Sequence, residues 1–496
     1  MRPYLEKFES SKCNFFVIPR AGERPVGSGF FYSRTRRAAL VLGCVIFFSQ
    51  TIFAEQPNAQ PATVSEPLTL NRCYELALAA SEDDRIRAQD LKIAQARYQQ
   101  AVGGLFPELG LFLDKTYEDR RDENRVGQTN SGLLGTGENL SENPLRAGVN
   151  VRWPIFSGFR SYNEARANDF DTRRLRLERE RFRELLYQDV ADVYFQVVQY
   201  ETAAEILADE TDALQARINE LRQRVNIGRS RQGELLAARS DYAAILVELE
   251  ENSALLRASR ELLAYLTDLR PDTLRLARPA PLPAAEQLEM YLQSTGERKD
   301  LLAAAQSLRA ERELLKVSEA DHLPTVSLEG NYYLEQRPDT GRDWNIMLRI
   351  ELPLFQGGSV QAKIAENRAR IQSSQLELKR VRRTADFETR MSYNDFVSAA
   401  ARVVLLRESL RLAQTTYQIQ LRDYRLGIVT NLEVLDALRR FHLARLSLAR
   451  TELLAHTNQV RLHVAAGRPG ATPALDSKAA SGAGGAENEP GTEPQP

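Results

Sequence analysis

Two stretches of the chain hold neither Gly nor Pro and mix apolar with charged positions. They run from Phe159 to Ile227, 69 residues, and from Ser359 to Leu426, 68 residues. Both are rich in Leu, Arg, Glu, Gln and Ala, which favour helix. At 1.5 Å per residue each predicts a helix of about 100 Å. Ordinary globular helices are several times shorter, so these are coiled-coil or envelope-spanning elements. Each stretch ends at a glycine, Gly228 or Gly427, and a second breaker-free run follows, Glu234–Arg270 or Ile428–Ala466. In the later run Leu432, Leu435, Leu438, Leu446, Ala449 and Leu453 keep a 3–4 spacing. That is the seam of an antiparallel helical hairpin.

Four other segments alternate with period two. Leu109, Leu111 and Leu113 alternate with Gly110, and Val149, Val151, Trp153 and Ile155 with Asn150 and Arg152. Val326 and Leu328 alternate with Ser327 and Glu329, and Leu348, Ile350, Leu352 and Leu354 with Arg349 and Glu351. These predict strands with one apolar and one polar face. Pro107 and Pro324 mark the strand starts, and Pro154 and Pro353 the exits. Such strands form either a soluble sheet on a core or an outer-membrane barrel, apolar to lipid and polar to a lumen. Four strands are too few to close a membrane barrel, whose smallest examples have about eight. In the barrel reading several chains share it.

The pattern occurs twice. Arg152-Trp-Pro-Ile-Phe-Ser-Gly158 returns as Glu351-Leu-Pro-Leu-Phe-Gln-Gly357, an offset of 199. Asn226-Ile-Gly228 and Arg425-Leu-Gly427 share that offset, as do Glu234-Leu-Leu236 and Glu433-Val-Leu435. Upstream, Leu105-Phe-Pro107 matches His322-Leu-Pro324 at 217. The first copy therefore holds 18 extra residues, and polar Arg120 to Leu145 reads as the exposed loop containing them. A fixed period of this kind marks a structural repeat. The expected organisation is a first repeat over 68–270, with a helix from Leu68 to Val102, a β-hairpin at 105–157 and a helical-hairpin tip near 228. A linker at 271–283 leads to a second repeat over 284–467, with a helix from Ala284 to Ala320, a β-hairpin at 322–355 and a tip near 427. The fold class is α+β, mainly α.

Arg34, Arg36 and Arg37 precede an apolar run from Ala38 to Phe53, with Ala54 before polar Glu55-Gln56. Residues 1–54 read as a secretory signal peptide. Residues 55–67 read as a leader and 468–496, rich in Gly, Ala, Pro and Glu, as a disordered tail. Val41-Leu-Gly-Cys44 has the look of a lipoprotein cleavage box, but the apolar run continues beyond Cys44. Cys13, Cys44 and Cys73 reduce to Cys73 after cleavage, which excludes an intramolecular disulfide. Lys and Arg fall from 66 to 58 and Asp and Glu from 67 to 64, a net charge of −6. That balance does not point to nucleic acid. His442, His456 and His463 sit 14 and 7 apart without Cys or acidic neighbours at ligand spacing, so no metal site is expected. No nucleophile–base set, phosphate loop or cofactor motif appears, and no enzyme is read here.

The chain resembles the TolC-like outer-membrane efflux proteins over residues 68 to about 467. The resemblance rests on Leu68-Thr-Leu70 with Ala77, the Leu-Pro strand starts, and the Pro-Ile/Leu-Phe exits with a following Gly. Most specific is Tyr424-Arg-Leu-Gly-Ile-Val-Thr-Asn-Leu-Glu-Val-Leu-Asp436-Ala. It implies a homotrimer with a shared twelve-stranded barrel in the outer membrane and a periplasmic α-helical tunnel. It also implies a periplasmic adaptor at the tips and an inner-membrane transporter of RND or ABC type, which supplies the energy. Glu433 and Asp436 match a ring of acids at the narrowest point, where crowding would raise carboxyl pKa values. Tyr424 and Glu234 match two partners of a lock between hairpins, pictured as a hydrogen bond. Val429 stands where a family member has an arginine of that lock, and Arg229 or Arg231 are candidate replacements. The function implied is a passive exit duct for efflux or type I secretion. The competing reading is a structural or adhesive coiled-coil fibre, which has no need of paired strands.

Overall fold

The computed structural model describes residues 67–115, 145–334 and 343–468, all within one compact unit, Val64–Pro496. The expected signal peptide, Cys44, nearly all of the leader, the loop from Arg120 and the tail beyond 468 lie outside these residues.

Each repeat runs helix, strand pair, helical hairpin. The first contains α1 (Leu70–Ala80), α2 (Glu82–Gly103), β1 (Glu108–Lys115), β2 (Leu145–Ser157), α3 (Arg160–Asn226) and α4 (Gln232–Thr267). The second contains α5 (Leu288–Ser294), α6 (Lys299–Glu319), β3 (Thr325–Tyr333), β4 (Trp344–Glu351), α7 (Ser359–Arg425) and α8 (Asn431–Ala465). The long helices end within a residue of the expected bounds, because Gly stops both.

The opening helix is not continuous. Ser81 ends α1 and caps α2, its Oγ accepting from the Asp84 amide at 3.2 Å. The expected helix from Ala284 likewise splits into α5, a 3-10 turn at Thr295–Glu297 and α6. A strap between α4 and α5 runs beside the segment before α1, where Leu68 forms a parallel bridge with Leu276.

At each junction of strand and long helix the backbone turns through two successive left-handed residues, Gly158-Phe159 and Gly357-Gly358. Phe159 holds φ at 64° where the second repeat uses glycine, a strain of about 1 kcal/mol or more for a residue with a Cβ.

The four strands form one antiparallel sheet in the order β1-β2-β3-β4. Leu109, Val151, Gly330 and Ile346 lie side by side, as do Leu111, Val149, Tyr332 and Trp344. The same face is open to the surroundings, with Leu111 84% and Ile346 66% exposed. The opposite face carries Gly110, Asn150, Asn331 and Asn345 in register. On that face Glu329 lies between Arg152 and Arg349, at 3.6 and 3.8 Å. Pro107 and Pro324 directly precede β1 and β3, and Pro353 follows β4. Pro154 departs from its expected role as an exit. It lies inside β2, at a register shift between Pro154 and Phe156. β1 has already ended at the Glu108–Arg152 pair, so β2 has a neighbour on one side only, where a residue without an N–H is tolerated.

The main core joins α1, α3, α4 and α8 through Cys73, Val190, Tyr194, Phe195, Leu263 and Val460. Burial pushes the Cys73 thiol up to about 12. Beside this core Asp84 of α2 receives paired hydrogen bonds from both Arg179 and Arg183, at 2.6–3.0 Å. The hydrogen bonds from Arg183, foremost, and from Arg179 hold the Asp84 carboxyl well below the usual carboxylate range.

Candidate functional site

The two helical hairpins end side by side at a common tip. Both turn by the same device. Arg229 N–H bonds back to the Arg224 carbonyl at 2.8 Å, and Ile428 N–H to the Asp423 carbonyl at 2.9 Å. These six-to-one bonds are the helix-ending pattern that wants a left-handed residue. Gly228 and Gly427 supply it at φ 74° and 76°.

Thr430 and Glu433 then start α8 with a reciprocal cap. Glu433 Oε2 accepts from the Thr430 amide at 2.6 Å and from its hydroxyl at 3.0 Å. The Thr430 side chain accepts in turn from the backbone of Glu433. Such a box satisfies two otherwise orphaned amides. Asp436, one turn on, accepts from Arg439 and pairs with Arg440, both at 2.8 Å. The hydrogen bond from Arg439 and the charge of Arg440 lower its pKa. Within one chain the surroundings of Asp436 therefore act against the rise expected from crowded acids. Glu433 is exposed and Asp436 half-exposed.

Tyr424 packs in an apolar cluster with Leu214, Leu221, Leu235 and Val434, and Glu234 directly precedes Leu235 in α4. The hydrogen bond pictured between them is replaced by other partners. Ser230, four residues upstream, donates to Glu234. Two guanidiniums of α3 lie over the Tyr424 ring, Arg217 3.8 Å and Arg224 4.6 Å from its centroid. Arg217 is 6% exposed. Its Nε donates to Asn431 Oδ1 at 2.7 Å and its Nη1 to Glu220 at 2.7 Å. Glu220 also pairs with Arg224 at 3.0 Å. Val429 packs against the same cluster, so apolar contact occupies the place where a family member has an arginine. Arg217 and Arg224, not Arg229 or Arg231, are the cations on this ring.

The tip thus links α3 of the first repeat to α7 and α8 of the second through one buried guanidinium. A cation over an aromatic face adds roughly 0.5–2 kcal/mol, and a hydrogen bond with one charged partner about 1.5–3. No nearby cluster of His, Cys, Asp and Glu could hold a metal among the described residues. No described helix is long and apolar enough to cross a membrane, a condition that does not bear on the strands.

Comparison with known proteins gives one family. Outer membrane efflux protein matches residues 73–267 and 291–468, two spans that coincide with the two repeats and leave out the strap. Outer membrane protein TolC of Salmonella enteritidis is 22% identical over 429 residues, covering 82% of this chain and 83% of that protein. Proteases secretion protein PrtF of Dickeya chrysanthemi is 24% identical over 408 residues, 77% and 84% of the two chains. The crystal structure of outer membrane protein VceC from Vibrio cholerae superposes with a TM-score of 0.69 at 20% identity, covering 80% of this chain and 96% of that one.

Proposed function

The chain belongs to the Outer membrane efflux protein family, and from that premise we propose how its two ends divide the work of a duct. It is an outer-membrane exit duct for efflux or type I secretion, with a long periplasmic extension. Members of this family are passive channels that work with periplasmic adaptors and inner-membrane transporters.

The two-faced sheet carries the membrane half of the reading. Its apolar face is exposed along all four strands, while Asn150, Asn331, Asn345 and the Glu329 pairs line the other. β1 and β4 are open edges. In lipid an open edge leaves backbone groups without partners, each at a cost of several kcal/mol. Three copies of four strands close a barrel of about twelve, within the range of such barrels. The chain therefore works as a homotrimer against outer-membrane lipid.

The tip carries the gate. Arg217, Tyr424, Arg224 and Asn431 hold the two hairpins together, and Glu433 and Asp436 stand at the start of the second. In a trimer the two acids place six carboxylates about one axis, a constriction that favours cations. Arg439 and Arg440 already neutralise Asp436 within the chain, so selectivity falls chiefly on Glu433. An adaptor meets the tip turns at Gly228 and Gly427, and an inner-membrane transporter of RND or ABC type drives the cargo.

Planar-bilayer recording tests this. Wild type is expected to give small cation-selective steps, and the double variant Glu433→Gln/Asp436→Asn larger and less selective ones. Unchanged current in the variant removes the ring from the gate. A stable monomer without insertion removes the shared barrel.

A further inference from the structure

α8 holds three histidines on the side it turns toward the rest of the chain. His442, His456 and His463 are 14 and 7 residues apart, whole heptads, so they fall along one stripe. They are 3%, 5% and 7% exposed. The Nδ1 of each is buried with no hydrogen-bond partner.

Each imidazole faces a different neighbour. His442 meets α3, its Nδ1 3.8 Å from Glu210 Oε2, and Glu210 is 5% exposed. Next to this pair Arg445 bonds Asp209 at 2.9 Å, while Asp241 and Glu248 of α4 act on Glu210. His456 stacks on Phe195 of α3 with centroids 5.6 Å apart. It borders a cleft of about 310 Å³ beneath the strap. The charged groups of that cleft are engaged, Arg407 with Glu452 at 2.8 Å and Arg278 with Glu205 at 2.6 Å. His463 meets the Tyr291 ring of α5 edge-on at 5.9 Å, with Glu286 and Arg468 acting on it and paired to each other at 3.6 Å.

We propose that this stripe is an acid-operated release, in which protonation of the three imidazoles frees α8 from α3 and α5 and loosens the second hairpin from the first. A buried imidazolium with an unpartnered Nδ1 has lost its hydration without gaining an acceptor. Glu210 stands 3.8 Å from one histidine of the three, and the acids that act on His442 and His463, Asp209 and Glu286, are each paired with an arginine, Arg445 or Arg468.

The direction follows from proton counting. Burial lowers His442 and His456 to about 4 and lowers His463 as well. These depressed values leave the closed seam intact above about pH 6.5, the ordinary histidine value, and weaken it as pH falls toward 4. Burial raises Glu210 to about 7, so its contribution has the opposite sign. Near pH 5.5 the closed seam holds a proton on Glu210 and leaves His442 and His456 neutral. The loosened seam holds about three, on solvated histidines, with Glu210 ionised. Release takes up between about one and two protons, so the loosened fraction rises about 10- to 100-fold per unit of pH lost.

Hydrogen–deuterium exchange of the purified full-length protein tests it, with rates corrected for the intrinsic effect of pH. Protection of α8 is expected to fall at least tenfold from pH 7 to pH 5 in wild type. In His442→Asn/His456→Asn/His463→Asn it no longer falls and instead rises, with the sign set by Glu210, and Glu210→Gln steepens the wild-type response by about one proton. If the triple variant does not fold at pH 7, each single variant should lower the slope by about one proton. Level protection in wild type, or wild-type slopes in the variants, overturns the proposal. So does an acid response that survives in the histidine variants and vanishes in Glu433→Gln/Asp436→Asn. Acid-raised conductance in bilayers is the further consequence, and it rests on the exit-duct reading. Loss of α8 protection without current at any pH would count against that reading and leave the stripe standing.

Discussion

Arg217 Nε donates to Asn431 Oδ1 over 2.7 Å, and the bond crosses from the first repeat to the second. The same guanidinium lies 3.8 Å from the centre of the Tyr424 ring. One side chain on α3 therefore touches both the end of α7 and the start of α8, the two ends of the opposite tip turn.

Removing either partner should open the tip. Arg217→Met loses the bond and the cation over the ring. Asn431→Ala leaves a buried guanidinium short of an acceptor, at a cost of about 1–3 kcal/mol. Both variants are expected to raise open-channel probability in bilayers about tenfold or more. The double variant should fall short of the sum, with a coupling of about 0.5–3 kcal/mol. Strict additivity would mean that the bond does not hold the tip.

Glu433 has two roles that one substitution can separate. Glu433→Gln keeps a side chain able to complete the cap with Thr430. It should melt like wild type yet lose cation selectivity in reversal-potential measurements. Glu433→Ala should lose both, with about 0.5–2 kcal/mol of helix stability gone. Asp436→Asn should alter selectivity less than Glu433→Gln, since Arg439 and Arg440 neutralise Asp436 already. The reverse order would place the constriction on Asp436.

The two faces of the sheet should answer differently to charge. Leu111→Arg puts a cation on the apolar face, at about 2–4 kcal/mol near the membrane midplane. It should sharply reduce heat-stable trimer in outer-membrane fractions. Asn150→Arg, on the polar face, should assemble normally and change conductance only. Equal yields would assign the apolar face to something other than lipid.

Asp84 should set a second, more acidic limit on stability. Its folded pKa is depressed by Arg183 and Arg179. The contribution is present above the ordinary aspartate value of about 4 and is lost as pH falls below it. Asp84→Asn removes the charge that both guanidiniums share and, since these stay partly in solvent, is expected to cost about 1–3 kcal/mol at pH 7. The loss should shrink below pH 3 in thermal melts. A variant that melts like wild type at pH 7 would show the cluster to be dispensable.

Sequence patterns that act locally were legible, and contacts between distant residues were not. Gly228 and Gly427 bound α3 and α7 to within a residue, because glycine is the residue those left-handed turns accept. The break at Ser81 has no Gly or Pro, and its signal is Ser81-Glu-Asp-Asp84, a helix start. Thr430 and Glu433 are likewise three apart, and their cap can be read from spacing. Arg217 could not be found this way. Asn431 and Tyr424 lie more than 200 residues away from it, and nothing in the helical period says which arginine of α3 will meet them. Glu234 was matched to Tyr424 by resemblance, yet Ser230 one turn before it offered a nearer partner. The 14 and 7 spacing of the three histidines is plain in the sequence, but burial of an imidazole is a property of packing.

α3 and α7 are both 67 residues long, and α4 and α8 differ by a single residue, 36 against 35. The distance from membrane to gate is thus written twice in one gene. An insertion of a few residues in one copy alone would push one tip past the other and slide Arg217 off Tyr424. It would also rotate the seam, because helical packing repeats only about every seven residues. A duct of this design can change its reach only through paired insertions or deletions of near-heptad size, so reach should vary among its relatives in steps.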